Sequence, residues 1–213
     1  MRFRRCLGVL VLAWVFTTPA VAHAERVIVA FGDSLTAGLG VTADAAYPAL
    51  LEAHLRREGF DYRVVNAGVS GDTSAGGLRR VDWVLRARPE IVILALGAND
   101  GLRGLPVPAL RDNLTAIVTR LRAGGARVVL AGMRMPPNYG EAYTKEFAAA
   151  FPTVARATSS TLLPFLLQGV AGEISLNQPD GIHPNAAGHA AIAELVWRAL
   201  QPLLQREGAR GRT

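Results

Sequence analysis

The chain has 213 residues, of which half are hydrophobic and 19% are charged. This length and composition are typical of one globular domain with a full core, and they exclude a disordered chain. The formal net charge is +6, but residues 1–24 hold three arginines and no acid, which leaves 20 basic and 17 acidic residues beyond them. With a net charge of only +3 and no basic stripe interleaved with aromatic residues, we expect no nucleic-acid partner.

Residues 1–24 are typical of a secretory signal peptide. Arg2, Arg4 and Arg5 form a positive amino-terminal region, an apolar run follows at residues 6–16, and Ala-His-Ala at 22–24 fits a small-x-small cleavage site. The apolar run is shorter than the roughly 20 residues of a membrane span, so we expect a cleaved signal and a periplasmic or secreted protein. The single cysteine leaves with this segment, so the mature chain can form neither a disulfide nor a thiolate metal site.

From residue 25 onward, strand and helix patterns alternate. Short, largely apolar runs that lead into turn-rich loops predict five strands, at residues 27–31, 62–66, 91–96, 127–131 and 161–165. Apolar residues at helical spacing predict five helices, over residues 47–55, 78–85, 110–121, 141–157 and 192–203. Asp44 is expected to cap the first of these helices. His54 belongs to the apolar stripe of the same helix, so we expect it to be packed rather than catalytic.

This alternation predicts an α/β fold. Short connections between the elements favour a three-layer α/β/α sandwich with a five-stranded parallel sheet, flavodoxin-like strand order and right-handed crossovers. The sequence shows no repeat, linker or second core, so residues 25–205 are expected to form a single domain. Residues 206–213 have no apolar pattern and are expected to form a disordered tail.

Polar residues without a role in the core lie in the loops outside the predicted strands. They are Ser34, Gly71, Asn99 and the pair Asp180 and His183. Loops after parallel strands meet at one edge of the sheet, where ligands bind in this architecture. A serine becomes a nucleophile when a histidine accepts its proton, and a carboxylate orients that histidine. A glycine N–H and an asparagine amide can donate to an oxyanion, so the set indicates acyl-transfer chemistry.

Each of these features also has an ordinary structural interpretation. Asp33 and Ser34 could cap a helix, and Asn99 could stabilise a turn. An Asp-x-x-His segment before a helix is commonly a cap beside a surface histidine. The acyl-transfer interpretation is favoured because all of the required residue types occur together, in loops expected at one edge of the sheet.

Four segments resemble, in order, the sequence blocks of the SGNH (GDSL) hydrolase superfamily. They are Phe-Gly-Asp-Ser-Leu at 31–35, Ser-Gly-Asp-Thr at 70–73, Gly-Ala-Asn-Asp at 97–100 and Asp-Gly-Ile-His-Pro at 180–184. Residues 66–74, 99–105 and 137–140 are similar to the bacterial periplasmic branch of thioesterase I/lysophospholipase L1 and arylesterases. Ala98 departs from this branch, which often has glycine there, and we expect at most a local effect on the loop.

The resemblance implies a role for each candidate residue. Ser34 would be the nucleophile, His183 the general base, and Asp180 the residue that orients the base. The backbone N–H groups of Ser34 and Gly71, together with the Asn99 side chain, would form the oxyanion hole.

The resemblance also implies the reaction and the substrate class. The protein would hydrolyse carboxylic esters and thioesters, as arylesterases, acyl-CoA thioesterases and lysophospholipases do, through an acyl-enzyme intermediate and without a metal or organic cofactor. Leu102 and Leu105 would contact the acyl chain, although ordinary loop packing explains them equally well. We expect a monomer that acts on small acyl substrates, with membrane-derived lysolipid as one candidate contact. Whether the Met-Pro loop at residues 132–140 lines the pocket stays open.

Three alternatives stay open at this point. One is a carbohydrate O-deacetylase on the same fold, and another is a non-catalytic module that binds lipid or glycan. The third is a metal-dependent hydrolase with Asp33, Asp100, Asp180 and His183 as ligands, which would be sensitive to chelators. The esterase is favoured over a binding module because such a module has no use for a serine nucleophile with its own base.

Overall fold

The computed structural model describes residues 25–210, with side chains as far as residue 204. The predicted signal peptide, residues 1–24, lies outside the described residues, as do residues 211–213. The strands are β1 Arg26–Gly32, β2 Tyr62–Gly68, β3 Ile91–Ala95, β4 Arg127–Ala131 and β5 Thr161–Leu163. They form one parallel sheet in the order β2-β1-β3-β4-β5, which confirms the predicted flavodoxin-like topology.

The helices cover both faces of this sheet. They are α1 Ser34–Ala37, α2 Tyr47–Arg57, α3 Ser74–Leu85, α4 Ala98–Leu102, α5 Val107–Ala123, α6 Glu141–Thr158 and α7 Ala186–Arg210. Helices α2 and α7 pack against each other, and α3, α5 and α6 pack side by side as a second group. Right-handed crossovers put these two groups on opposite faces, which gives the predicted three layers. None of the described helices combines the length and apolar character needed to cross a membrane.

Strands β1 and β3 lie at the centre of the sheet, where both faces are covered. All five residues of β3 are buried, as the continuous apolar run at 91–95 requires of a strand packed on both sides. Strand register brings Gly32 opposite both Gly68 and Ala95, so three neighbouring strands end at the same level. A Cβ at Gly32 would lie 2.0 Å from Thr36 Oγ1, so only glycine allows α1 to fold back this closely after β1.

The structure differs from the sequence-based expectations mainly at the ends of elements. Asp44 does not cap α2: Ala46 occupies the N-cap position without a side-chain hydrogen bond, and Pro48 lies in the first turn, where its missing N–H costs nothing. Strand β5 stops before Pro164, which cannot donate to the ladder. The short helices α1 and α4 were not predicted, because four or five residues are too few to show a period.

Two further expectations concern α7 and His54. Residues 206–213 are expected from their sequence to form a disordered tail, and α7 is described as far as Arg210. Extending an existing helix needs no new nucleation, and most of residues 206–210 are good helix formers. His54 is packed as expected, with its ring 4.6 Å from that of Trp197 between centroids.

Candidate active site

The predicted nucleophile lies in a tight turn directly after β1. Ser34 is the first residue of α1 and is 9% exposed. Asp33 is the N-cap of this helix, and its Oδ1 accepts the Leu35 N–H at 3.0 Å. Gly38 ends the helix with φ 81°, and its N–H donates to the Ser34 carbonyl. The Ser34 side chain is therefore held on a short, well-capped segment at the carboxyl edge of the sheet.

Asp180, His183 and Ser34 form a continuous chain of hydrogen bonds. The distance between Ser34 Oγ and His183 Nε2 is 3.0 Å, and that between His183 Nδ1 and Asp180 Oδ2 is 2.6 Å. An imidazole that donates from Nδ1 to the carboxylate leaves Nε2 as the acceptor of the serine proton. This is the geometry that a serine nucleophile with a general base requires.

Asp180 is kept ionised by its surroundings. Its Oδ1 accepts the backbone N–H groups of Ile182 at 2.9 Å and His183 at 3.0 Å. The backbone N–H of His183, then its imidazole, lower the pKa of Asp180 to about 2. The carboxylate is thus negative at neutral pH and available to stabilise an imidazolium on His183.

Gln178 fixes the loop that carries Asp180 and His183. Its side-chain amide donates to the carbonyls of Leu39 at 2.7 Å and Pro184 at 2.9 Å, and its backbone N–H donates to the His183 carbonyl. These hydrogen bonds join the two ends of the loop to each other and attach the loop to the segment after α1. Sequence reasoning missed Gln178, because its partners are backbone groups 139 and six residues away.

The predicted oxyanion residues lie beside Ser34. Gly71 has φ 78°, a conformation that favours glycine, and it lines the same cavity as Ser34, Asn99 and His183. The Asn99 side-chain Nδ2 donates to the Asp72 carbonyl at 3.0 Å and to Asp33 Oδ2 at 3.3 Å. Its two N–H bonds already have acceptors, so an oxyanion would compete with the longer contact to Asp33.

Within the part of the chain that the structure describes, Asp33 is a buried carboxylate without a cationic hydrogen-bond partner. It is 1% exposed, and burial raises its pKa to about 6, against the opposing effect of the Leu35 N–H and the Asn99 amide. From the sequence alone, Asp33 is expected to be a cap or a metal ligand. The structure adds a contact to Asn99 that joins the nucleophile turn to the candidate oxyanion hole.

Asp100 supports the segment that carries Asn99. It is 3% exposed and accepts the backbone N–H of Ser74 at 2.8 Å and the Ser74 hydroxyl at 2.5 Å. Asn113 donates to the same hydroxyl at 3.0 Å. Asp100 therefore joins the start of α4 to the start of α3. Among the described residues, no group of three or more His, Cys, Asp and Glu side chains could hold a metal ion, so the proposed four-ligand set is not assembled.

The site opens into a large, mainly apolar cavity of about 650 Å³. Leu102 lines this cavity, and the Met-Pro loop does so through residues 133–136. Leu105 is not part of the lining: it is 37% exposed, and its carbonyl accepts the Tyr143 hydroxyl at 2.9 Å. Leu105 follows a turn that carries it beyond the cavity, so its predicted contact with the acyl chain has no support from this geometry.

The family model "GDSL-like Lipase/Acylhydrolase family" matches residues 30–191, and the chain belongs to this family. It is 44% identical over 194 residues to esterase TesA of Pseudomonas aeruginosa, which covers 91% of this chain and 96% of that protein. It is 38% identical to the thioesterase 1/protease 1/lysophospholipase L1 of Escherichia coli, over 87% of this chain and 88% of that protein. A crystal structure of TesA superimposes with a TM-score of 0.81 at 44% identity, covering 84% of this chain and 99% of that one. The protein is a carboxylic ester hydrolase of the serine esterase/thioesterase type.

Proposed function

We propose that the protein hydrolyses acyl esters and thioesters through an acyl-enzyme intermediate on Ser34. The observation that carries this proposal is the hydrogen-bonded chain from Ser34 Oγ through His183 to Asp180. It supports proton transfer from the serine at the moment of attack, because the base is already within hydrogen-bonding distance. The apolar cavity beside Ser34 supports an acyl substrate rather than a polar one.

In the first half-reaction, Ser34 Oγ attacks the carbonyl carbon of the substrate while His183 Nε2 accepts the serine proton. The resulting oxyanion is stabilised by the N–H groups of Ser34 and Gly71 and by the Asn99 amide. Asp180 stabilises the imidazolium that forms on His183. The imidazolium then protonates the leaving alcohol or thiol, and the carbon–oxygen or carbon–sulfur bond to that group breaks.

In the second half-reaction, water attacks the acyl-enzyme. His183 accepts a proton from the water, a second tetrahedral oxyanion forms in the same set of donors, and the bond to Ser34 Oγ breaks. The proton returns from His183 to Ser34, and the carboxylic acid leaves. The oxyanion donors therefore act twice in each turnover, as does the pair formed by His183 and Asp180.

The surface around the cavity supports lysolipid as a substrate. Within the described part of the chain, six of the seven exposed large hydrophobic side chains line the cavity or lie within three residues of a lining residue along the chain. They are Leu39, Val69, Leu102, Leu105, Ile174 and Ile182. Exposed apolar surface of this kind is suited to contact with a micelle or a bilayer. Trp83, on α3, is exposed but lies outside this group and does not line the cavity, which makes it a natural control.

Lysolipid contact is tested with Ile174→Gln, because Ile174 is 93% exposed and does not line the cavity. We expect this variant to lose activity on micellar lysophosphatidylcholine but to keep it on a soluble short-chain ester. Trp83→Gln should keep both activities. Equal rates of Ile174→Gln and the unchanged protein on micelles would contradict lysolipid contact through this surface.

We also propose a monomeric protein that is exported to the periplasm or secreted after removal of residues 1–24. The signal-like pattern of those residues supports export. Amino-terminal sequencing of the protein recovered from the periplasmic or culture fraction tests it, and a start near residue 25 is expected. Recovery of the intact chain from the cytoplasm would contradict it.

The main test is a series of p-nitrophenyl esters from acetate to palmitate, measured on protein with residues 1–24 removed and in the presence of EDTA. We expect turnover that survives EDTA, and a loss of about 10⁴-fold or more in Ser34→Ala. Equal activity of Ser34→Ala would overturn the serine mechanism. Activity lost in EDTA and restored by a metal ion would favour the metal-dependent alternative. Binding without turnover on every ester would favour a binding module, and turnover only on acetylated sugars would favour a carbohydrate O-deacetylase.

A further inference from the structure

We propose that Arg80 is a positioning residue for the catalytic site, because it holds together the backbone segments that carry Ser34 and Gly71. This inference rests on the proposed function, since it concerns the same oxyanion donors. Arg80 lies on α3, does not line the cavity and contacts none of the reacting groups. It acts through the segments that it binds.

Each guanidinium nitrogen of Arg80 has a separate acceptor. Nη2 donates to the Gly32 carbonyl at 2.8 Å, Nη1 to the Ala67 carbonyl at 2.8 Å, and Nε to Asp72 Oδ2 at 2.7 Å. The guanidinium also lies over the Phe31 ring, 4.4 Å from its centroid. The side chain is only 19% exposed, and that of Asp72 is 11% exposed, so water competes weakly for these bonds.

The three acceptors belong to the segments on which the oxyanion donors lie. Gly32 ends β1, two residues before Ser34, and Ala67 lies near the end of β2, four residues before Gly71. Asp72 directly follows Gly71. The Gly32 carbonyl also accepts the N–H of Val69, so the loop with Gly71 is attached to the end of β1 at two points.

Asp72 extends this arrangement to the third donor. Its carboxylate is held by Arg80, while its carbonyl accepts the Asn99 amide at 3.0 Å. A shift of Asp72 would therefore move Asn99 and Gly71 together. An oxyanion hole works only when its donors are fixed before charge develops, and a displacement of about 1 Å can reduce the rate about 100-fold.

The geometry requires arginine rather than any cation. Three acceptors on two neighbouring segments match the planar fork of a guanidinium, whereas an ammonium is a point charge on a flexible stem. Lysine could neutralise Asp72 but could not bind both carbonyls in the same plane. Arg80→Lys thus separates positioning of the backbone from simple charge neutralisation.

The test compares Arg80→Met and Arg80→Lys with Arg79→Met, which removes the neighbouring, exposed arginine of the same helix. With a soluble p-nitrophenyl ester, we expect kcat to fall about 10- to 100-fold in both Arg80 variants. KM should change less than about threefold, since both half-reactions pass through an oxyanion. Arg79→Met should behave like the unchanged protein. Turnover by the unchanged protein, abolished in Ser34→Ala, establishes the proposed function separately.

A second readout distinguishes positioning from a general loss of structure. An alkylboronic acid adds to Ser34 Oγ and puts a tetrahedral, negatively charged boron centre in the oxyanion hole, whereas the carboxylic acid of equal chain length tests the cavity. We expect the Arg80 variants to bind the boronic acid about 10- to 100-fold more weakly, and the carboxylic acid almost unchanged.

Folded Arg80 variants with unchanged kcat would overturn the inference, and so would an equal loss of affinity for both compounds. An equal loss in Arg79→Met would overturn it as well. Thermal unfolding is measured in parallel. If Arg80→Met does not fold, Arg80→Lys decides the question in the same assays.

Discussion

A buried carboxylate and a partly buried one lie at opposite ends of the sheet, and their surroundings differ in a way that separates stability from catalysis. Glu90 precedes β3 at the amino end and accepts hydrogen bonds from Arg26 at 2.8 Å and Arg127 at 2.6 Å. Asp33 follows β1 at the carboxyl end, and among its donors are the neutral Leu35 N–H at 3.0 Å and the Asn99 amide at 3.3 Å.

The pKa values of these two groups shift in opposite directions. Burial alone would raise the pKa of Glu90, but hydrogen bonds from Arg26 and Tyr62 and the nearby arginine charges lower it. Burial raises the pKa of Asp33 to about 6, and the opposing effects of the Leu35 N–H, the Asn99 amide and the nearby His183 offset it only in part. The group at Glu90 is fully paired and lines none of the cavity beside Ser34, whereas Asp33 does line it. The carboxylate whose pKa is raised therefore lies at the end of the sheet that holds the cavity.

The largest expected effect is a loss of kcat in Asn99→Ala, at the carboxyl end of the sheet. Loss of one oxyanion donor should lower kcat on the order of 10²- to 10³-fold, because the donor acts only in the transition states. Stopped-flow or steady-state assays on a soluble ester measure the change. Full activity of Asn99→Ala would remove Asn99 from the oxyanion hole.

A smaller effect is expected from Asp33→Asn, and it is a change in how stability depends on pH. The folded-state pKa of Asp33 is about 6, above its ordinary value of 3.8, so the folded state binds the proton more tightly than the unfolded state does. Its contribution to stability is present below about pH 4 and is lost as the pH rises through about 6. Relative to the unchanged protein, Asp33→Asn should become more stable by about 3 kcal/mol between pH 4 and pH 7.

Urea unfolding of both proteins across this pH range measures the difference. Burial is the main cause that lowers the pKa of His189, so the contribution of His189 to stability has the opposite pH dependence in this range. Both proteins carry His189, and subtracting one unfolding free energy from the other removes its contribution. A pH-independent difference between the two proteins would contradict a raised pKa at Asp33.

The smallest effect on activity is expected at the amino end. Glu90→Gln should leave kcat unchanged but lower the free energy of unfolding by about 1–2 kcal/mol at pH 7, because two arginines lose their partner charge. The lowered pKa of Glu90 means that the loss is present above about pH 4.5 and fades as the pH falls through the folded-state value. Glu90→Gln with reduced kcat would show that the two ends are coupled.

Much of the fold followed from local patterns. The apolar run at residues 91–96 predicts a buried strand, and β3 covers Ile91–Ala95. Strand β4 has the predicted bounds, Arg127–Ala131. The prediction that Asp44 caps α2 was wrong. Several residues before Tyr47 could end a turn, and only the packing of α2 against β2 and α7 selects among them.

The residue types for acyl transfer were determined by the sequence alone, since Ser34, Asn99, Asp180 and His183 each follow a recognisable pattern in a loop. Their distances in space were not, because Ser34 and His183 are 149 residues apart in the chain and only the folded structure brings Oγ and Nε2 to 3.0 Å. Arg80 and Gln178 were missed for the same reason. Their hydrogen bonds end mostly on backbone carbonyls, which every residue carries, so no side-chain pattern in the sequence marks the acceptors until the chain is folded.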